Sequence, residues 1–474
     1  MFNTRKIAHN TIIQIIGKAA NVLIGVLAIS YLTRYLSPSG FGQYTTVLTF
    51  LQIFGIFLDF GLYLVLLQEI GKNEEKKNFI FSNILTLRII SGFSFFIIAP
   101  TIALFFPYPV IVKFGIALTS IAFFLNSLNQ VYAAIFQKEM KMHKVVLAET
   151  IGKILFLGFI ILAITVHGNL LIVLIANNVN SLVFFIILAL SAKKYVKYRW
   201  QLDWKYTQRV IKLSWPIGLA VALNLIYFKA DTLILSLFHS ATHVGYYGAP
   251  YKILEVITTL PHLILGLVLP ILAGYWSQQK HEEFKKTFQY MFDLFVILGA
   301  LIIILFTTQA EGIIRFIAGS EYSVSVKILK VLIWPTTIIF FGNLFNYGII
   351  AVEKQKKSIK YFLITALASL VGYLIFIPKF SYFGAAYMTF FAEALIAVFS
   401  YFLIRKYTGW KMEIKVLLKV LLSSVITYTL LSLIVVNFVI ELIIGIVIYL
   451  ALLILFKIVS EDLIREVLKI RSKK

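Results

Sequence analysis

Polar residues recur at helical spacing inside stretches that are otherwise apolar, and their chemistry is that of binding. In the first such stretch Asn10, Gln14, Lys18, Asn21 and Gly25 fall on one face of one helix. The second repeats the pattern with Thr45, Thr49, Gln52, Asp59 and Tyr63, and the fourth with Thr119, Asn126, Gln130 and Gln137. Ser214, Gly218, Lys229, Thr232 and Ser236 share a face of the seventh; the tenth offers Thr336, Asn343 and Tyr347, and the twelfth Thr389, Glu393 and Ser400. Polar groups within lipid are expensive, so such stripes are expected to face a bundle interior or a watery cavity. Helix contacts in membranes also use small and polar residues, and for any one stripe that reading stands beside a lining role. Stripes in both halves of the chain favour two bundles facing each other across a central lumen.

The charges inside these stretches differ in depth. Lys18, Arg88 and Lys153 each lie about 12 Å from one helix end, close enough to snorkel, with Glu149 one turn from Lys153 as a partner. Lys252 has Glu255 three residues on. Lys229 is about 14 Å from the nearer end, where a lipid-facing position is costly and a lumen position is favoured. Asp59 reads as a boundary residue, whereas Asp231 and Glu393 are deeper and need a partner, a proton or an ion. These three carboxylates are the ion-coupling candidates. Asp231 lies about 200° round the helix from Lys229, so the two are not expected to form an intrahelical pair.

These residues sit in a chain of 474 that is 60% hydrophobic and 14% charged, with mean hydropathy +0.91. A soluble globule carries about a quarter charged residues and is excluded. The formal charge of +23 is dispersed in short clusters between apolar runs, unlike the continuous basic stripe of a nucleic-acid binder. Splitting the chain at those clusters gives fourteen stretches of about 20 residues or more, each able to cross a bilayer. The fold class is therefore an all-α polytopic membrane protein of about fourteen spans, its N-terminal segment read as a retained first span. Of the 44 Lys and Arg residues, Arg34, Lys113, Arg315, Lys327, Lys330 and Lys379 fall on one side. Lys18, Arg88, Lys153, Lys229 and Lys252 lie within spans, and all the others fall on the side of the N-terminus. Excess positive charge marks the cytoplasmic side, which places both termini there in a multi-pass cell-membrane protein.

The spans group as a six-helix lobe over 1–209, a second over 210–410, two further helices over 411–457, and a tail over 458–474. Ile458, Leu463, Ile464, Val467 and Leu468 give that tail an amphipathic character suited to the inner membrane surface, or equally to a solvated end. Pro216, Pro261, Pro270 and Pro335 are expected to interrupt the seventh, eighth and tenth spans with kinks.

Bond-making chemistry has little support. The outer loops are too short for a folded catalytic domain. Phosphate-loop, H-E-x-x-H and G-x-S-x-G patterns do not occur, and with no cysteine there is no thiolate chemistry. No cofactor or metal is expected, and transport remains.

Two segments repeat. Phe41-Gly42-Gln43-Tyr44 can be laid against Val244-Gly245-Tyr246-Tyr247, as expected for two parallel six-helix halves built for alternating access. Together with Leu36 to Gly40, Asp59-Phe60-Gly61-Leu62, Gln68-Glu69, Gln137, Ser214-Trp215-Pro216, Asp231, Pro270 and Gly384-Ala385-Ala386 with Glu393, this order of motifs resembles a known family. It is similar to the polysaccharide-biosynthesis flippases of the multidrug/oligosaccharidyl-lipid/polysaccharide exporter superfamily. The resemblance implies a V-shaped, two-lobed bundle whose cationic lumen binds the diphosphate and sugars of an undecaprenyl-diphosphate-linked repeat unit for O-antigen or capsule. The polyprenyl tail would stay among the membrane lipids, with a polysaccharide polymerase and chain-length machinery as further partners. Lys18 and Lys229 become the anion contacts, since lysine is a workable point-charge ligand for phosphate. The arginine-rich lumen of the peptidoglycan-precursor relatives is missing, because Arg88 is the one arginine within a span. A cation-coupled drug exporter of the same superfamily, with Asp231 or Glu393 as the coupling group, and a membrane polymerase are the competing readings.

Overall fold

The computed structural model describes residues 4–434 and 436–458. Nearly all of the amphipathic tail, and the side chain of Asn10, lie outside the described residues. A backbone in lipid must satisfy its polar groups internally, and among the described residues the regular structure is helical throughout. The helices are α1 (Thr4–Phe54), α2 (Ile56–Asp59), α3 (Leu62–Lys72), α4 (Lys77–Leu104), α5 (Val110–Lys138), α6 (Met142–Thr165), α7 (Leu170–Ala192) and α8 (Trp204–Phe238). They continue as α9 (Ala241–Ile257), α10 (Thr259–Ser277), α11 (His281–Thr308), α12 (Ala310–Ile317), α13 (Ser323–Ala351), α14 (Gln355–Thr408), α15 (Lys415–Ser432) and α16 (Phe438–Leu455).

Twelve helical segments among the described residues are long and apolar enough to cross a membrane. Two of these, α1 and α14, are 51 and 54 residues long, and unbroken each would measure about 80 Å against roughly 30 Å of hydrocarbon. Each bends back once instead, at Ser37 (φ 55°) and Ser381 (φ 52°), in backbone that L-residues rarely adopt. Ser37 lies near Arg34 and Ser381 near Lys379, two of the charges that divide the apolar stretches, so counting the arms on either side of each elbow accounts for the fourteen predicted stretches.

The predicted proline breaks are corrected in part. The helical backbone runs through Pro216, Pro270 and Pro335, and the one interruption near a named proline separates α9 from α10, before Pro261. The second span breaks at a place without proline: Phe60 (φ 41°) and Gly61 (φ 82°) are left-handed and divide α2 from α3.

The chain forms two compact units. The first comprises Met1–Gly248, Ile317–Glu321 and Leu370–Ala385. Within it α7 packs on α5 and α6, α1 packs on α6, and a core of Leu66, Phe81, Ile84, Phe136 and Leu188 lies between α3, α4, α5 and α7. The second comprises Ala249–Phe316, Tyr322–Ser369 and Ala386–Lys474. There α11 packs on α13 and α15, and Trp410 caps an aromatic cluster with Phe288 at 4.9 Å and Phe292 at 5.7 Å between ring centroids.

Candidate functional site

The two copies of the repeated motif meet. A Cβ on Gly42 would lie 1.7 Å from the Ala241 carbonyl oxygen, and one on Gly245 would lie 1.9 Å from that of Pro38. Each glycine thus sits against the residue four positions before its counterpart, so α1 and α9 cross backbone to backbone. The next motifs are brought together as well. Gly61 lies against the Ser214 carbonyl and Ile217, while Gly218 lies against Phe60, which docks the α2–α3 turn on α8.

Beside the first crossing, Asp231 on α8 is 1% exposed and fully engaged. Its Oδ2 accepts from the Tyr247 hydroxyl at 2.6 Å, and its Oδ1 from the Thr232 amide at 2.5 Å and hydroxyl at 3.1 Å. Lys229, two residues earlier on α8, is also buried and close enough to act electrostatically on Asp231. These donors and a nearby ammonium offset part of what a carboxylate loses on leaving water. Tyr44, the counterpart of Tyr247 in the repeat, donates instead to Asn177 at 3.4 Å.

Asp59 has a partner that its depth alone did not reveal. Arg88 is fully buried, pairs with the Asp59 carboxylate and donates to the Leu58 carbonyl at 2.9 Å. The expected pairs Lys153–Glu149 (3.1 Å) and Lys252–Glu255 (2.7 Å) are both formed.

The stripes divide by role. Asn21 is 2% exposed and accepts from Thr150 at 2.9 Å, with Lys153 reaching its carbonyl at 3.5 Å, so this part of the first stripe joins α1 to α6. Lys18 and Gln14 lie on the same helix, Lys18 exposed and Gln14 half-buried. Gln52 is half-buried with its Oε1 unpartnered. Asn126 and Gln130 are exposed on α5, while the neighbouring Asn129 is buried, donating to Asn126 at 3.4 Å and to the Ser181 carbonyl at 3.3 Å. In the second unit Asn343 meets His262 at 3.3 Å, and Glu393 is 5% exposed. An open cavity of about 800 Å³ in that unit, beside Trp276, His281 and Glu353, is lined by none of the predicted residues. Among the described residues no cluster of His, Asp or Glu could hold a metal ion.

Sequence reasoning missed Tyr247 as the partner of Asp231, Arg209 as that of Glu69 (3.2 Å), and a row of polar residues on α4. The first two pairs are made by tertiary packing and leave no periodic signal. The α4 row, Asn78, Ser82, Asn83 and Thr86, does have helical spacing and could have been found.

Many apolar helices carrying buried polar stripes, with paired repeats crossing at glycine, define a polytopic membrane protein of the transporter class. The chain belongs to the polysaccharide biosynthesis protein family, whose model matches residues 31–327. It is 24% identical over 422 residues to a putative O-antigen transporter of Shigella flexneri, covering 80% of this chain and 93% of that protein. It is 23% identical over 243 residues to the capsular polysaccharide biosynthesis protein CapF of Staphylococcus aureus, covering 49% of this chain and 61% of the relative. Among solved structures it is similar to the lipid II flippase MurJ in an inward closed conformation, with TM-score 0.78, 18% identity and coverage of 95% and 99% of the two chains. An inward-facing multidrug transporter of the MATE family and MOP superfamily follows with TM-score 0.68, 12% identity and coverage of 82% and 94%. At such identities the solved structures establish the fold alone, one that the chain shares with both of these transporters.

Proposed function

We propose that the chain moves undecaprenyl-diphosphate-linked oligosaccharide repeat units from the inner to the outer leaflet of the cytoplasmic membrane, by alternating access and without bond chemistry. The observation that carries this reading is the match to a putative O-antigen transporter along most of both chains, within a family defined by polysaccharide biosynthesis. Two six-helix lobes, 1–209 and 210–410, form the moving halves, and both termini are cytoplasmic. Lys18 and Lys229 contact the diphosphate, while Asn10, Gln14, Gln52, Asn126, Gln130 and Asn343 offer hydrogen bonds to sugar hydroxyls; Asn21, also of the first stripe, instead holds α1 against α6 through Thr150. A diphosphate needs cations of this kind, and a lysine in a dry setting holds it more firmly than in water. Asp231, Glu393 and Asp59 are the groups through which an ion gradient would act.

The test is genetic and chemical. Cells lacking the protein accumulate lipid-linked repeat units at the inner leaflet and lose the surface polymer; normal surface polymer in such cells contradicts the proposal. Purified protein that moves organic cations down a sodium or proton gradient, and ignores lipid-linked sugars, would favour the exporter reading instead.

A further inference from the structure

The connector from α7 to α8 is laid down as an extended strap. After a turn closed on the Ala192 carbonyl, alternate amides of the connector donate to side chains of α4. Lys197 N donates to Asn78 Oδ1 at 2.9 Å, Arg199 N to Ser82 Oγ at 3.1 Å, Gln201 N to Thr86 Oγ1 at 3.4 Å and Asp203 N to Asn83 Oδ1 at 2.6 Å. The Tyr198 hydroxyl adds a contact to Thr86 at 3.2 Å, and Ser82, Asn83 and Thr86 are buried. Extended backbone has a period of two, so every second amide faces α4. Along the strap Trp200 and Leu202, followed by Trp204 at the start of α8, are exposed, Trp200 and Trp204 at 67% and 64%.

Exposed lysines and arginines alternate with these rings: Lys193, Lys194, Lys197, Arg199 and Lys205. Two more cations converge on the same edge, where Lys141 and Lys144 donate to the Tyr195 hydroxyl at 2.9 and 3.3 Å, and these bonds lower the Tyr195 pKa. The strap connects the last turn of one spanning helix to the first turn of another and lies along the first turns of a third, at the level where a bilayer changes from hydrocarbon to headgroups. Exposed tryptophan interleaved with cations at that level matches the chemistry of an anionic lipid interface.

We propose that the 193–205 strap is a docking surface for anionic phospholipid headgroups, with Trp200 and Trp204 seated in the interface and the five cations bound to lipid phosphate. Because α4 holds the strap in register, lipid charge acts directly on the start of α8, the helix that carries Lys229 and Asp231. This inference rests on the membrane setting and is independent of which substrate is moved.

The full chain in nanodiscs of phosphatidylcholine, with or without phosphatidylglycerol, tests it. With lipids brominated near the headgroup, quenching of wild-type emission exceeds that of Trp200→Phe/Trp204→Phe, and phosphatidylglycerol raises the thermal midpoint. Replacing Lys193, Lys194, Lys197, Arg199 and Lys205 by Gln removes that rise, each cation weakening preference for the anionic lipid about fivefold (~1 kcal/mol). Ser82→Ala/Thr86→Val leaves the cations in place but releases the strap, so quenching of the two tryptophans falls. Equal quenching in wild type and the Phe variant, an unchanged phosphatidylglycerol response in the Gln variant, or the same midpoint rise from inorganic diphosphate in phosphatidylcholine alone would each overturn the proposal. If the α4 variant does not fold, the Gln variant decides the matter alone.

Discussion

The Tyr247 hydroxyl donates to Asp231 Oδ2 at 2.6 Å, joining the repeated motif on α9 to the one carboxylate of α8. Tyr247→Phe removes a donor from a buried carboxyl and leaves that oxygen short of a partner, at a cost of about 1–3 kcal/mol. Asp231→Asn keeps the shape while removing the titratable group near Lys229. Transport is expected to fall further in Asp231→Asn than in Asp59→Asn, measured as flipped lipid-linked sugar in vesicles. Full activity of both variants rules out a carboxylate-coupled mechanism.

Gly42 and Gly245 form the second relationship that can be tested by a single atom. Alanine at either position places Cβ within 2 Å of a carbonyl oxygen, so backbone must move and the thermal midpoint in detergent drops. Gly266→Ala is the control, since its Cβ would meet open space. Equal midpoints for all three variants would show that the α1–α9 crossing contributes nothing to stability.

Arg88 and Asp59 give a third prediction. Asp59→Asn strands a fully buried guanidinium and is expected to cost about 3–5 kcal/mol, because an uncompensated buried charge is worse than none. Asp59→Asn/Arg88→Met should be more stable than Asp59→Asn alone, a non-additivity that thermal melts of the cycle would detect. Additive losses would mean that the pair does not act as a unit.

Much of this architecture is legible in the sequence because lipid imposes so narrow a rule. Runs of apolar residues mark the spans, clustered cations mark their ends, and the elbows at Ser37 and Ser381 fall in segments that the charge pattern had already set apart. The motif glycines could be matched to each other before their contact was known, since a repeat has a signature in the chain. Partnerships were harder to read. Arg88 and Asp59 belong to different helices, as do Asp231 and Tyr247, and no periodicity connects them. The strap was missed for another reason: Asn78, Ser82, Asn83 and Thr86 form a helical stripe, but what they bind is backbone, whose amides carry no sequence signal at all.

The central claim concerns a diphosphate held by lysines, and binding measures it most directly. Detergent-purified wild type should bind a lipid-diphosphate oligosaccharide, and Lys18→Ala or Lys229→Ala should weaken that binding by about tenfold, as expected for a lost charge-assisted contact of ~1.5 kcal/mol. Absence of binding by wild type, with organic cations bound in its place, would contradict the account.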